Sequence, residues 1–133
     1  MRAKVAVFVG GLGLILASVP ALAHHSFAVE FDAKIPLKLT GVVTRIEWKN
    51  PHAYFYIDVT DKTGTVTNWG FELTSPNVLM RQGWTRNSLK LGDTVSVEGS
   101  GAKDGSHAGN TTLVVLSTGQ RLFGGTNQGT PQN

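Results

Sequence analysis

The chain has 133 residues, no cysteine and a formal net charge of +3. This length suits one small domain and is too short for two. The lack of cysteine excludes disulfides, thiolate metal sites and a thiol nucleophile, so a metal would have to bind histidine, carboxylate, backbone groups or an amine.

The first 23 residues have the pattern of a secretory signal peptide. Arg2 and Lys4 provide a basic start, an apolar run covers residues 5–19, and Ala21-Leu22-Ala23 fits the small-x-small cleavage pattern. The run is shorter than the roughly 20 residues that a membrane-spanning helix needs. We therefore predict cleavage after Ala23, a periplasmic or secreted location and no membrane attachment of the mature chain.

Removal of this segment changes the charge. Without Arg2 and Lys4, ten basic residues remain against nine acidic ones. Such a nearly neutral chain lacks the basic surface of a nucleic-acid-binding protein or of a protein held by anionic lipids. Nucleic acid and membrane are thus excluded as expected partners.

Next come an N-terminal arm at residues 24–36, a barrel domain at 37–123 and a flexible polar tail at 124–133. Residues 37–48 are rich in β-branched side chains, with Gly41 as a bulge or coiling point. Residues 53–61 alternate with a period of two, which places Tyr54, Tyr56 and Asp58 on one face of a second strand. The turn "DKTG" leads into a third strand at residues 65–73.

A short helix is predicted after the third strand. Ser75 suits its N-cap, Pro76 its first position and Gly83 its end. Strands follow at residues 94–99 and 111–117, and Gly119 turns the chain towards a last segment at 120–123. Three strands, a helix and two strands is the order of an OB-fold, a five-stranded Greek-key barrel, so the fold class is predicted as all-β with one short helix. Another small β-barrel or sandwich is the main alternative.

The four histidines are the candidate metal ligands. Cleavage after Ala23 would give His24 a free α-amine, which can chelate a metal together with its own imidazole. A third nitrogen from another histidine would complete a T-shaped site that suits copper, because Cu(II) favours tetragonal nitrogen ligation. His52 is favoured as this third ligand, since it follows Pro51 in a constrained turn, whereas His107 lies in a glycine-rich loop.

Other interpretations of the histidines remain open. His25, at the second mature position, can bind copper weakly with the amine and its own amide nitrogen. His24 and His25 can equally be a solvated polar start, and His52 can simply hydrogen-bond a loop carbonyl.

The aromatic residues suggest a second kind of site. OB barrels often stack ligands on aromatic side chains of their second and third strands. Tyr54 and Tyr56 share a face with Asp58 and are the candidates for such a surface, although they could also pack under the N-terminal arm. Trp69 and Trp84 are expected in the core.

No catalytic constellation is present in the sequence. The nine carboxylates show no pair at a spacing that indicates general acid and base roles. A G-x-S-x-G elbow and a phosphate-binding glycine loop are also absent. We therefore expect a binding protein rather than an enzyme.

The chain resembles a family of small exported bacterial proteins of unknown function. The resemblance rests on His24-His25-Ser26-Phe27, on Trp48-Lys49-Asn50-Pro51-His52 and on Gly83-Trp84. It implies export and a single domain but no activity. Two hypotheses follow: a copper-binding module that serves metal handling or an exported metalloprotein, and a module that binds a small ligand or a protein on the Tyr54/Tyr56 face without metal.

Overall fold

The computed structural model describes residues 30–125, which form a seven-stranded sheet and one short helix. The predicted signal peptide, His24, His25 and the last eight residues of the predicted tail lie outside this range. The strands are β1 (Phe31–Glu47), β2 (Tyr54–Thr60), β3 (Val66–Glu72), β4 (Thr94–Ala102), β5 (Ala108–Asn110), β6 (Leu113–Leu116) and β7 (Arg121–Phe123), and the helix α1 (Pro76–Arg81) lies between β3 and β4.

Five of these strands close into a ring. Their order is β1-β2-β3-β5-β4, and β1 pairs with β4 to complete the circle. β5 runs parallel to β3, whereas the other neighbours in the ring are antiparallel. This order, with the helix between the third and fourth strands, is that of an OB barrel, and the predicted fold class is confirmed.

The predicted fifth strand at residues 111–117 corresponds to β6, and the preceding β5 was not predicted. The break between β5 and β6 falls where the chain leaves β3: Thr111 N–H donates to the Glu72 carbonyl of β3, and Thr112 N–H donates to the Glu98 carbonyl of β4. β7 then pairs with β6 and extends the sheet beyond the ring. A strand pattern in the sequence cannot reveal this division, because the change of neighbour depends on the closed barrel.

Strand β1 begins at Phe31, six residues before the strand start predicted from the sequence. Its first part pairs with β4 and its last part with β2, and Gly41 lies near the change of partner. A Cβ at Gly41 would lie 2.5 Å from the Asp58 carbonyl oxygen, so glycine permits this close approach. The register shift lies between Val43 and Arg45, so Gly41 marks the coiling point and the bulge lies just after it.

The barrel interior is filled by a cluster of buried apolar residues, which includes Trp84 as predicted. Phe55 and Phe71 stack with ring centroids 5.5 Å apart, and Trp69 packs partly buried against the edge of this core. β2 and β4 contribute alternate residues to this core, as expected for strands with one dry face. The buried core cluster comprises Val43, Ala53, Phe55, Ile57, Phe71, Leu73, Leu79, Trp84, Leu89, Val95, Val97, Val114 and Leu122.

Helix α1 begins and ends as the sequence predicts. The Ser75 hydroxyl accepts a hydrogen bond from Val78 N–H, Pro76 occupies the first turn, and Gly83 follows the helix with φ of 97°. Trp84 is buried after the helix, and its indole N–H donates to the Phe123 carbonyl at 2.8 Å. No helix within residues 30–125 has the length and apolar character needed to cross a membrane.

Candidate functional site on the outer face of β2 and β3

The outer face of β2 and β3 carries a polar row on each strand. The hairpin register places Tyr54 opposite Glu72 and Tyr56 opposite Gly70. Phe55 and Ile57, which alternate with the tyrosines along β2, point into the core and have no exposed surface. Strand alternation therefore separates a ligand-accessible face from the dry face within one hairpin.

A cleft of about 670 Å³ lies over this face. The outer residues of β2 and β3 form its floor, and the residues before and at the start of β1 and the connection between β4 and β5 contribute the rest. In OB barrels this face, flanked by the β1–β2 and β4–β5 loops, is the usual ligand-binding surface. The lining residues are Glu30, Phe31, Tyr54, Tyr56, Asn68, Gly70, Glu72, Ala102, Lys103, Asp104, Ser106, His107, Ala108 and Gly109.

The predicted tyrosine surface is thus part of a concave site. The Tyr56 ring lies beside Gly70, where an added Cβ would come within 2.8 Å of a ring carbon. The Arg45 guanidinium lies over the same ring, 3.8 Å from its centroid. Lys49 lies over the Tyr54 ring at 5.4 Å, so each tyrosine already has a cation of this chain near one face.

Asp58 has a different surrounding from the two tyrosines. It lies on the same face of β2, but it does not line the cleft. Its Oδ1 accepts a hydrogen bond from Asn68 Nδ2 at 2.8 Å, and Asn68 itself lines the cleft. Asp58 therefore orients a neighbouring amide from outside the cleft.

A buried carboxylate forms the centre of the site. Glu72 is only 9% exposed, and its Oε1 accepts a hydrogen bond from Nδ1 of His52 in the β1–β2 loop. Glu30, which directly precedes β1, interacts with the same carboxyl. Burial raises the pKa of Glu72 above its ordinary value of 4.5; His52 opposes this shift and Glu30 adds to it.

The negative charge around Glu72 also affects a neighbouring tyrosine. The pKa of Tyr54 is raised above its ordinary value of 10.0, first by burial and then by the charges of Glu72 and Glu30. Both shifts have the sign expected of a partly desolvated site with excess negative charge. Perturbed groups of this kind in a cleft are typical of binding and catalytic sites.

His107 lies in the β4–β5 connection and lines the cleft. Its ring packs at 5.0 Å from Trp69, and its carbonyl accepts a hydrogen bond from Gly70 N–H. The structure therefore places His52 and His107 in the two loops that flank one face. Residues 30–125 contain no group of three or more histidine and acidic side chains arranged to hold a metal ion.

Sequence reasoning named the tyrosines but missed Glu30 and Glu72 as a pair. The pairing of Glu72 with Tyr54 could have been found, since the turn at residues 61–65 sets the register along the whole hairpin. The approach of Glu30 could not, because it depends on the start of β1 crossing to the end of β4, where Phe31 pairs with Ala102.

Comparison with known protein families identifies a match for the chain. Residues 12–111 match the model of DUF6152, a family of unknown function. The match covers most of the sequence, and the chain belongs to this family. No curated protein matches the sequence significantly.

Proposed function

We propose that this DUF6152 protein is an exported binding module that takes a small organic molecule into the cleft on the outer face of β2 and β3. The observation that carries the proposal is the cleft itself, which has Tyr54 and Tyr56 in its floor and the buried carboxylate of Glu72 beside them. Export rests on the N-terminal sequence pattern alone.

The size and composition of the cleft support this function. A volume of about 670 Å³ lies within the range of roughly 300–1,000 Å³ that is usual for small-molecule sites. Such sites combine a mainly apolar lining with a few placed polar groups. A carboxylate buried like Glu72 costs free energy even when it is paired, so its position beside a cleft favours a role in binding.

The test is a fragment titration followed by amide NMR. Neutral, cationic and anionic phenyl fragments would be added to the full mature chain, and shifts are expected at the amides of Gly70, Ala108 and Gly109. Tyr56→Ala should weaken binding about tenfold, because it removes one aromatic side of the cleft.

Phe123→Ala is the matched control for this titration. Phe123 is 58% exposed and does not line the cleft, so its truncation should leave the fragment shifts unchanged. If no fragment shifts the cleft amides, or if Phe123→Ala weakens binding as much as Tyr56→Ala, the cleft is not the ligand site.

A second candidate function is copper binding by the mature N-terminus together with His52. The supporting observation is the contact between His52 Nδ1 and Glu72, because histidines that bind metals commonly donate their other ring N–H to a carboxylate. In that arrangement Nε2 carries the lone pair, and the His52 side chain is 35% exposed.

Chain length is compatible with this site. Six peptide links separate His24 from Glu30, which lines the cleft, and six residues span at most roughly 20 Å. His25 or His107 would be additional ligands. A copper-loaded module of this kind would serve metal handling or an exported metalloprotein.

Copper binding is tested by titrating Cu(II) into protein that begins at His24 and into protein with one extra residue before it. The extra residue removes the amine from His24, so we expect a loss of affinity of at least tenfold. A matched His52→Gln variant should lose affinity to a similar extent, while Asp104→Asn should not. Equal affinity of the two N-terminal forms would rule out this mode of binding.

A further inference from the structure

The cleft combines apolar walls with an excess of carboxylates, and this combination indicates a class of ligand. We infer that the cleft binds a primary amine attached to an apolar body, with the ammonium group at Glu30 and Glu72. The inference rests on the proposed function, since it names the ligand class of the same cleft.

The charges that face the cleft favour a cation. Among its lining residues, Glu30, Glu72 and Asp104 are acidic and Lys103 is basic. Asp104 Oδ1 accepts the Ser106 N–H at 2.9 Å and belongs to the turn of the β4–β5 loop. Glu30 and Glu72 line the same cleft, and Glu30 raises the pKa of Glu72, so a cation between the two carboxylates would relieve their repulsion.

The second partner of Glu72 is His52, which lies in the β1–β2 loop. His52 contacts one carboxylate oxygen, Oε1, and is not among the lining residues of the cleft. Glu72 therefore connects the loop to the cleft, and a carboxylate has acceptor capacity for several donors at once. A ligand ammonium group offers three donors and can be shared between Glu30 and Glu72.

The mode of cation recognition follows from the tyrosines. One ring face of Tyr56 is covered by Arg45, and Gly70 brings the ring close to β3. Lys49 lies over the ring of Tyr54. An aromatic cage for a quaternary ammonium needs ring faces turned to the ligand, so hydrogen bonds from a primary ammonium to carboxylates fit the site better.

The apolar part of the ligand has its own surface. Phe31, Ala102 and Ala108 line the cleft together with the tyrosine rings. Phe31 is 7% exposed and Ala102 8%, and the pairing of β1 with β4 sets these two residues opposite each other. A phenyl-sized body fits easily within about 670 Å³.

The experiment compares three probes that share a phenethyl body: phenethylamine, phenethyl alcohol and hydrocinnamate. Binding to the mature chain would be followed at the cleft amides at neutral pH. We expect phenethylamine to bind roughly tenfold more tightly than the alcohol, and hydrocinnamate to bind most weakly, because hydrogen bonds between charged groups are the stronger ones.

Three isosteric variants separate a local from a general effect of charge. Glu30→Gln and Glu72→Gln should reduce the preference for the amine over the alcohol to about threefold or less. Glu47→Gln is the matched control: Glu47 lies on β1 opposite Tyr54, pairs with Arg45 and Lys49, and does not line the cleft. It should leave the preference unchanged.

The outcomes distinguish this inference from the proposed function. If the alcohol binds in the cleft as tightly as the amine, or if Glu47→Gln removes the preference as fully as Glu30→Gln, the amine assignment is wrong while the cleft remains a ligand site. If none of the three probes shifts the cleft amides, both the assignment and the proposed function fail.

Discussion

The two faces of the β2–β3 hairpin carry different side chains, apolar ones on the inner face and mainly polar ones on the outer face. On the inner face, Phe55, Ile57 and Phe71 have no exposed surface, and the two phenylalanine rings stack. On the outer face, the same strands carry Tyr56 beside Gly70, and Glu72 buried next to a histidine. The backbone is shared, so the contrast comes entirely from side chains.

The contrast separates stability from function. The inner side chains gain free energy by leaving water. The outer face buries a carboxylate and leaves a cleft over a glycine, and neither feature is the best choice for stability alone. If this interpretation is correct, substitutions on the inner face should destabilise the protein strongly, and substitutions on the outer face should mainly alter binding.

The largest effect is expected for Phe71→Ala. Phe71 is fully buried and stacks on Phe55, so its truncation should lower the free energy of unfolding by about 3–5 kcal/mol. Urea unfolding followed by circular dichroism measures this loss. A loss of less than about 1 kcal/mol would mean that the inner face is not the main source of stability.

An intermediate effect is expected for Gly70→Ala on the outer face. The new Cβ would meet a carbon of the Tyr56 ring at 2.8 Å, and the ring has to move. We expect a loss of about 1 kcal/mol in stability, since the contact is with the outer end of a side chain, and a clear change in fragment binding. Unchanged binding in the same titration would show that the position of the Tyr56 ring is unimportant.

A smaller effect on stability is expected for Glu72→Gln. The amide keeps the size of the side chain and an acceptor for His52, and it removes a buried charge. The free energy of unfolding at neutral pH should stay within about 1 kcal/mol of the wild type. A loss of more than about 2 kcal/mol would identify Glu72 as a structural residue. The outer face would then contribute to stability as the inner face does, and the interpretation would be wrong.

The smallest effect is expected at the exposed end of the hairpin. Asp61 accepts hydrogen bonds from the Thr63 hydroxyl and from the backbone N–H groups of Thr63 and Thr65, and these lower its pKa below the ordinary 3.8. A lowered pKa means that the stabilising contribution is present above pH 3.8 and is lost as the pH falls through the lower, folded-state value.

To test this contribution, the melting temperatures of the wild type and of Asp61→Asn are measured between neutral and strongly acidic pH. The variant should melt slightly lower at neutral pH, and the difference should shrink as the pH falls. A constant difference over the whole range would show that the charge of Asp61 contributes nothing to the turn.

Local features of the fold were predictable because their causes lie within a few residues. The alternation of β2, the caps of α1 at Ser75 and Gly83, and the hairpin turn were all read from short patterns and are present in the structure. The number of strands was not predictable, since the break between β5 and β6 falls where the second neighbour beside β4 changes from β3 to β7.

The candidate site divides in the same way. The period of the strand alone placed Tyr54 and Tyr56 on one face and made them candidates for a binding surface. Their enclosure in a cleft required barrel closure, which brings the start of β1 and the β4–β5 loop, with His107, over the same face.

The residue order thus specified the strand alternation, the turns, the helix ends and the all-β class, because these depend on neighbours close in the chain. The closed ring alone decided that Glu30 and His52 both meet Glu72, because β1 has to cross from β4 to β2 before these three side chains can share one site.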